Sequence, residues 1–233
     1  MLRPSRLLPL LALFTLAGSA HAQRAQGGAQ FMVGVPLGAF YDRVETVGFG
    51  LSGQLLYHFG RAPIAVGVEG GFLVYDQERF NECLTTCRVR VDVVTSNNVA
   101  LGHLVLRLQP ASGTLRPYAD VLAGVHYLFT ESRLEDEDFG ENHEIASSTN
   151  FDDAAFSYGA AAGILVQVHS GRTRAGRPYA LHVDGRLRYL RGGEADYLRR
   201  GSIRETADGD LLFDVERSRT DLLLPQVGVT VRF

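Results

Sequence analysis

The chain has 233 residues, of which 45% are hydrophobic, enough for one all-β barrel or one ordinary domain. Its formal net charge of −3 becomes −5 when Arg3 and Arg6 are removed with a signal peptide, and this argues against nucleic acid as a partner. After residue 22 no run of about 18 apolar residues occurs, so no transmembrane helix is predicted.

The first 22 residues have the three parts of a secretory signal peptide. Arg3 and Arg6 form a basic region, and residues 7–17 are an apolar run too short to span a bilayer as a helix. Ala20-His21-Ala22 fits an A-x-A cleavage site. We therefore expect a mature chain outside the cytoplasm, with a short leader over residues 23–28 and one folded domain over residues 29–233.

Eight later segments alternate apolar and polar residues with the period of two that indicates β-strands. Their approximate bounds are 29–37, 48–59, 64–75, 98–109, 116–129, 154–169, 178–191 and 221–233. The connections after the second, fourth and sixth strands are short, and the others are longer. Alternate connections lie at the same end of an up-and-down barrel, so one end is trimmed and the other elaborated. This pattern predicts an all-β, eight-stranded antiparallel up-and-down transmembrane β-barrel with short periplasmic turns and long external loops.

The composition of the two strand faces indicates which face meets lipid. One face carries bulky Val, Leu, Phe and Tyr, whereas the other is rich in Gly, Ser, Gln, His, Asp and Arg. An eight-stranded barrel is only wide enough for side chains to fill, which favours the small and paired polar groups inside. Two aromatic girdles are expected at the membrane interfaces. They are Phe31, Tyr57, Phe59, Tyr179 and Phe233 near the periplasm, and Phe49, Tyr75, Tyr127, Phe129, Phe156, Tyr158 and Tyr189 near the outside. The alternative is a soluble, lipocalin-like periplasmic barrel.

The last strand places Val227, Val229, Val231 and Phe233 on one face and ends on the aromatic residue. It resembles the terminal signal strand that the barrel assembly machinery reads, and the mature chain resembles the OmpA/OmpX-like family of small outer-membrane barrels. The resemblance implies a monomer in the bacterial outer membrane, in contact with its lipid and lipopolysaccharide. We expect no wall-tethering role, because the sequence carries no counterpart of the peptidoglycan-binding domain of full-length OmpA.

Ten titratable residues fall on the predicted inner faces. They are Glu69, His103, Arg107, Asp120, His126, His182, Asp184, Arg186, Arg188 and Arg232. Buried charges are costly unless they are paired and hydrogen-bonded, so we predict a neutralising network that fills the lumen and fixes the strand register. The alternative is a gated path for ions or small solutes.

A catalytic site is not predicted. His126 is followed two places on by Leu128, and the adjacent His169 and Ser170 point to opposite faces, so no serine, histidine and acid share a plausible geometry. We expect no enzyme activity, no cofactor and no metal site, with an outer-leaflet lipid-modifying enzyme as the weaker alternative.

The longer connections carry three further features. Cys83 and Cys87 are close enough in sequence to form a disulfide outside the cytoplasm, worth roughly 2 kcal/mol for so short a loop. The acidic segment 130–153 is either a solvated loop or a site for divalent cations. Asp208-Gly209 predicts a turn that continues the last two strands as an external hairpin. Together these features predict a structural or surface-interaction protein, acting in envelope integrity, adhesion or ligand contact through its external loops.

Overall fold

The computed structural model describes residues 24–233 apart from residues 45, 61, 85–88, 137–142, 199–202, 206–210 and 214. Side chains are not described for residues 76–95, 132–150 and 199–214. The predicted signal peptide and Cys87 therefore lie outside the described residues, and Cys83 is described in its backbone alone. The disulfide between the two cysteines stays a prediction.

Within the described residues the chain forms strands and one short helix. The barrel strands are β1 (Ala25–Pro36), β2 (Gly48–His58), β3 (Ile64–Leu84), β4 (Val89–Leu108), β5 (Leu115–Asp136), β6 (His143–Arg172), β7 (Pro178–Gly192) and β12 (Leu222–Arg232). The helix α1 (Ala39–Val44) follows β1, and four short strands lie between β7 and β12. They are β8 (Glu194–Tyr197), β9 (Ile203–Glu205), β10 (Leu211–Phe213) and β11 (Glu216–Arg219). No helix among the described residues is long and apolar enough to cross a membrane.

The eight barrel strands form one closed antiparallel sheet. Each of them pairs with its neighbour along the chain, and β1 closes the barrel against β12 through pairs such as Ala29↔Val229. This confirms the predicted eight-stranded up-and-down barrel. Beyond the last two strands β8 pairs with β11 and β9 pairs with β10, in agreement with the predicted external hairpin, whereas the Asp208-Gly209 turn lies outside the described residues.

Several predicted element bounds differ from the structure. β1 begins at Ala25, so most of the expected leader already pairs with β2, as in Gly27↔Leu55. The expected long connections at 76–97 and 130–153 consist largely of paired strand. The pairing of β3 with β4 continues to Leu84↔Val89, and that of β5 with β6 continues to Asp136↔His143. Outside the membrane a strand pair needs no lipid-facing apolar residues, so most of these extensions resemble loops in sequence, although Val89, Val91 and Val93 of β4 do alternate with charged residues.

A band of large apolar side chains covers the outside of the barrel. Every barrel strand contributes to it, with exposed fractions that reach 67% at Leu51 and Leu104 and 62% at Val121 and Phe156. The neighbours that alternate with these residues are buried inside. A soluble monomer rarely exposes so large an apolar surface, whereas a bilayer covers it, so the barrel is a membrane-spanning one.

Two residues of the predicted aromatic girdles lie elsewhere. Tyr75 is 3% exposed and points inward, because Val74 holds the outward position and the two alternate. Phe31 lies halfway along β1, since the strand begins earlier than predicted, and its ring centroid is 6.3 Å from that of Phe49. Eight other predicted girdle residues are exposed on the outer face: Phe49, Tyr57, Phe59, Tyr127, Phe156, Tyr158, Tyr189 and Phe233.

Inward-facing glycines allow neighbouring strands to approach closely. At five of them an added Cβ would lie within about 2 Å of a carbonyl oxygen on the adjacent strand, far inside van der Waals contact. They are Gly50, Gly67, Gly124, Gly159 and Gly228. At Gly67 the opposing atom is the carbonyl oxygen of Leu55, at 1.9 Å.

We expect Gly67→Ala to lower the free energy of unfolding by about 1–3 kcal/mol, because the new methyl group forces β2 and β3 apart. The matched control is Gly70→Ala in the same strand, where an added Cβ meets only the carbonyl oxygen of Leu101 at 3.8 Å. Urea unfolding followed by heat-modified gel mobility measures both variants. Equal unfolding midpoints for the two variants would contradict the steric explanation.

Candidate functional site

The lumen contains a buried cluster of three arginines and two carboxylates. Arg107 donates to both oxygens of Asp120, from Nε at 2.6 Å and from Nη2 at 2.8 Å. Arg186 lies 2.7 Å from Oε2 of Glu69 and 3.3 Å from Oδ2 of Asp120, and so links the two acids. Arg188 pairs with the other oxygen of Glu69. All five side chains are at most 1% exposed, so these contacts take the place of water around the charges.

A third carboxylate, Asp184, is held by uncharged donors. It accepts a hydrogen bond of 2.6 Å from the Tyr118 hydroxyl, and three weaker ones at 3.1–3.4 Å. The weaker donors are the side chains of Gln30, Gln54 and Thr230. The guanidinium of Arg107 lies 3.8 Å above the Tyr118 ring and so connects Asp184 to the ion pairs. Formal charges in this central network balance, because three carboxylates face three arginines.

The register of the strands explains why these side chains meet. Asp184 and Arg186 and Arg188 alternate along β7, so all three face inward. Arg107 on β4 lies directly opposite Asp120 on β5, and Glu69 on β3 lies opposite His103 on β4. Cross-strand neighbours of this kind are close enough for direct contact, so slippage by one residue would break every pair.

Two histidines, His103 and His126, occupy the outer part of the network. Nε2 of His103 lies 2.8 Å from the Ser157 hydroxyl, and its ring centroid is 5.7 Å from that of His126. Nδ1 of His126 lies 3.3 Å from the Thr220 hydroxyl. The contact between His103 and Ser157 was not anticipated from sequence. It is not arranged as a catalytic triad, since Ser157 is fully buried and the oxygens of Glu69 are engaged by arginines.

An apolar layer closes the lumen on its outer side. Its inward side chains are almost fully buried and include Met32, Leu73, Leu128, Leu190 and Leu222. Above it, α1 places the ring of Phe40 against Tyr75 and Tyr197, with centroids 5.8 and 5.2 Å apart. Water and ions therefore meet an apolar barrier before they reach the charged network.

The last two predicted network residues lie toward the periplasmic end. His182 is fully buried there, opposite Thr230. Arg232 donates from Nη1 to the carbonyl oxygen of Ala111 at 2.9 Å. The ten predicted residues are thus all buried, but eight of them lie in the centre and outer part of the lumen and two at its periplasmic end.

Sequence reasoning missed several uncharged or peripheral members of the site. Gln30, Gln54, Tyr118, Ser157 and Thr230 are all buried in contact with the charged residues. The alternation of each strand already indicated their inward direction. Alternation gives the direction of a side chain but not its partner, so the contacts of these residues with the charged groups could not be predicted.

One inward assignment in β6 is wrong. Strict alternation along β6 predicts that His169 faces the lumen with Gln167, but a bulge between these two residues shifts the pairing with β7. Both Val168 and His169 are exposed as a result, and the ring of His169 lies 5.9 Å from that of Tyr179. A bulge adds one residue to a strand, which reverses the alternation beyond it.

Comparison with known proteins finds likeness in solved structures alone. No family model and no curated protein matches the chain. Neisserial surface protein A is 10% identical, over 92% of this chain and 98% of that protein, with a TM-score of 0.39. Ail of Yersinia pestis is 14% identical, over 92% and 100%, with a TM-score of 0.34. A major outer membrane protein of Thermus thermophilus is 14% identical, over 91% and 100%, with a TM-score of 0.44.

The class of protein follows from the architecture of this chain. A closed eight-stranded barrel with an apolar outer band and a polar, side-chain-filled interior is a small outer-membrane β-barrel. The three short turns, after β2, β4 and β6, lie at the same end of the barrel as the first residue of β1 and the last residue of β12. In this class of protein that is the periplasmic end.

We expect Asp120→Asn to lower the free energy of unfolding by about 3–5 kcal/mol, because it leaves a buried arginine with only part of its partner. Asp152→Asn is the control, since Asp152 is exposed and accepts only a bond of 3.0 Å from Tyr127. That change should stay within about 0.5 kcal/mol. Urea unfolding in detergent compares the two, and a loss no larger for Asp120→Asn would count against an energetic role for the network.

Proposed function

We propose that this outer-membrane barrel is a non-enzymatic protein that acts through its outer surface, in adhesion, envelope integrity or contact with an external ligand. The observation that carries this proposal is the sheet that β3, β4, β5 and β6 continue outside the membrane. β4 has 20 residues whereas β2 has 11, and nine further residues extend a strand by about 30 Å. So much added strand is not needed to close or anchor the barrel.

The backbone pairing of this external sheet supports a rigid display surface. β4 and β5 pair continuously from Leu108↔Ala119 to Val91↔Asp136, with no shift of register between them. The pairing of β3 with β2 ends at Val74, and that of β6 with β7 ends at Ser157. Beyond these points the edges of β3 and β6 pair with no further barrel strand, as far as the described residues extend, although the amide of Gly193 still donates to the carbonyl oxygen of Phe156 and that of Asp196 to Oδ2 of Asp153. Such edges can pair with a strand of another molecule.

The proposed partners of the barrel wall are outer-membrane lipid, lipopolysaccharide and the assembly machinery. Val227, Val229 and Phe233 are at least half exposed on the lipid-facing side of β12, and Val231 shares that face. An apolar row that ends on an aromatic residue at the periplasmic end is accessible to a factor that inserts barrels. The same residues lie beside β1, where the barrel closes.

A lumen that conducts ions is the competing function, and the filled interior argues against it. We expect no steady conductance in planar bilayer recordings of the purified protein, because the apolar layer and the balanced ion pairs leave no continuous aqueous path. A large porin in the same bilayer serves as the positive control. A steady, charge-selective conductance from this protein would contradict the proposal of a closed lumen.

The external sheet is tested by trimming it. Residues 132–148 are replaced by Asn-Gly, which forms a two-residue hairpin turn. The turn then connects Glu131 directly to its partner Thr149. Cells of a non-adherent host that display the full chain should attach to matrix proteins, plastic or one another, and the trimmed variant should lose this gain. Both cysteines are retained, so the predicted disulfide does not confound the comparison.

The control carries Asn-Gly inserted in the periplasmic turn 173–177, which leaves the outer surface unchanged. Surface levels and heat-modified gel mobility must match among the three proteins. The sensitivity of the cells to detergent distinguishes a role in envelope integrity from a role in attachment. A barrel that only strengthens the envelope would protect the cells equally in all three forms. Attachment that is equal with the full and the trimmed chain would contradict the role of the sheet.

A further inference from the structure

A polar pocket opens at the periplasmic mouth of the barrel, away from the central network and from the external sheet. It has a volume of about 350 Å³ and lies between the start of β5 and the hairpin of β6 and β7. Its lining includes Arg116, Gln167, Arg172 and Tyr179. No aspartate or glutamate contributes to its lining, although two arginines do.

Arg116 is a buried cation whose hydrogen-bonding capacity is only partly used. Its side chain is at the inward position of β5, and the residue is 5% exposed. Nε donates to the carbonyl oxygen of Gly113 at 2.8 Å, and Nη2 lies 3.5 Å from Oε1 of Gln167. Nη1 is buried and has no hydrogen-bond partner among the described residues. A guanidinium stays charged in proteins, so a buried one requires an anion or further acceptors.

The carboxylates of the lumen do not supply that anion. Glu69 and Asp120 are bound by the arginines of the central network, and Asp184 is bound by Tyr118. The neighbouring charged side chain of β12, Arg232, has the same sign as Arg116 and is close enough to interact with it electrostatically. The periplasmic mouth is therefore positive, whereas the centre of the lumen is neutral.

The depth of the pocket indicates which anion is available there. Tyr179 lies at the periplasmic end of β7, with its ring beside His169, and Val168 next to that histidine is 55% exposed at the lower edge of the apolar band. Tyrosine at the edge of such a band marks the level of the lipid headgroups. Arginine binds phosphate through strong, charge-assisted hydrogen bonds, and Arg116 and Arg172 both line this pocket.

We propose that this pocket binds a phosphate group, with Arg116 as the buried ligand and Arg172 as the second cation, and that the phosphate belongs to a phospholipid of the periplasmic leaflet. The inference is independent of the proposed surface function, because it concerns the opposite end of the barrel and uses none of the external sheet. The contact would hold a headgroup beside the turn that joins β6 to β7.

The test uses the purified mature chain in a non-ionic detergent. Glycerol phosphate and inorganic phosphate are titrated calorimetrically against the protein and against Arg116→Gln and Arg174→Gln. Arg174 is an exposed arginine of the same turn and does not line the pocket, so it controls for general charge attraction. We expect Arg116→Gln to weaken binding about tenfold or more, the loss typical of a charged hydrogen bond, and Arg174→Gln to leave it unchanged.

Retention of lipid distinguishes the source of the phosphate. Each protein is placed in nanodiscs that contain phosphatidylglycerol or a lipid whose headgroup lacks phosphate. The amount of each lipid that copurifies with the protein after detergent extraction is then measured. Selective retention of phosphatidylglycerol, lost in Arg116→Gln, supports the headgroup. Binding of inorganic phosphate with no lipid selectivity overturns the lipid source.

Two outcomes overturn the site itself. They are the absence of phosphate binding by the unaltered protein at millimolar concentrations, and an equal loss in Arg116→Gln and Arg174→Gln. If Arg116→Gln fails to show the heat-modified mobility of a folded barrel, Arg172→Gln replaces it. Arg172 is exposed, so its replacement leaves the barrel intact and should still weaken binding.

Discussion

The structure depends on balancing charge inside a lumen that excludes water. Glu69, Asp120 and Asp184 sit among Arg107, Arg186 and Arg188, and each carboxylate contacts donor groups from other strands. These contacts cross the barrel as well as joining neighbours, as when β7 reaches β3. Ion pairs of this kind add little net stability compared with a well-packed apolar core, but they penalise every arrangement that separates the partners. They therefore specify one register for the closed sheet.

The apolar residues have two separate roles around this network. Those on the outer face contact only neighbours on the same surface, such as Phe31 with Phe49, and are otherwise covered by lipid, so their shapes are weakly constrained. Those at the outer end of the lumen, such as Leu73 and Leu190, belong with Phe40 of α1 to one buried hydrophobic cluster. The same residue type thus stabilises the protein in the membrane in one place and seals it in the other.

Alternation along the strands allowed the barrel and the direction of almost every side chain to be predicted. The ten titratable residues assigned to the interior are all buried. Side chains of a strand point alternately to the two faces of a sheet, so a residue that does not face the lipid faces the lumen. Which of them meet could not be predicted, since contacts across the lumen, such as His103 with Ser157, depend on shear and closure. The bulge before His169 and the charged extensions of β3 to β6 were missed for a local reason. The apolar row of Ile164, Val166 and Val168 continues up to the bulge without marking it, and the extensions of β5 and β6 carry no regular apolar row. In β4, Val89, Val91 and Val93 do alternate with polar residues, but the segments that pair with them show no matching pattern.

The unequal strand lengths give this barrel a front and a back. β3 to β6 rise above the membrane as one continuous sheet, whereas β1 and β2 end close to its surface and β7 and β12 are joined by the shorter strand pairs of β8 with β11 and β9 with β10. A molecule that diffuses within the outer leaflet therefore meets a continuous sheet from one direction and shorter, separate elements from the other. Rotation of the barrel about its axis changes what its neighbours can touch, so crowding in the membrane would orient the protein as well as position it.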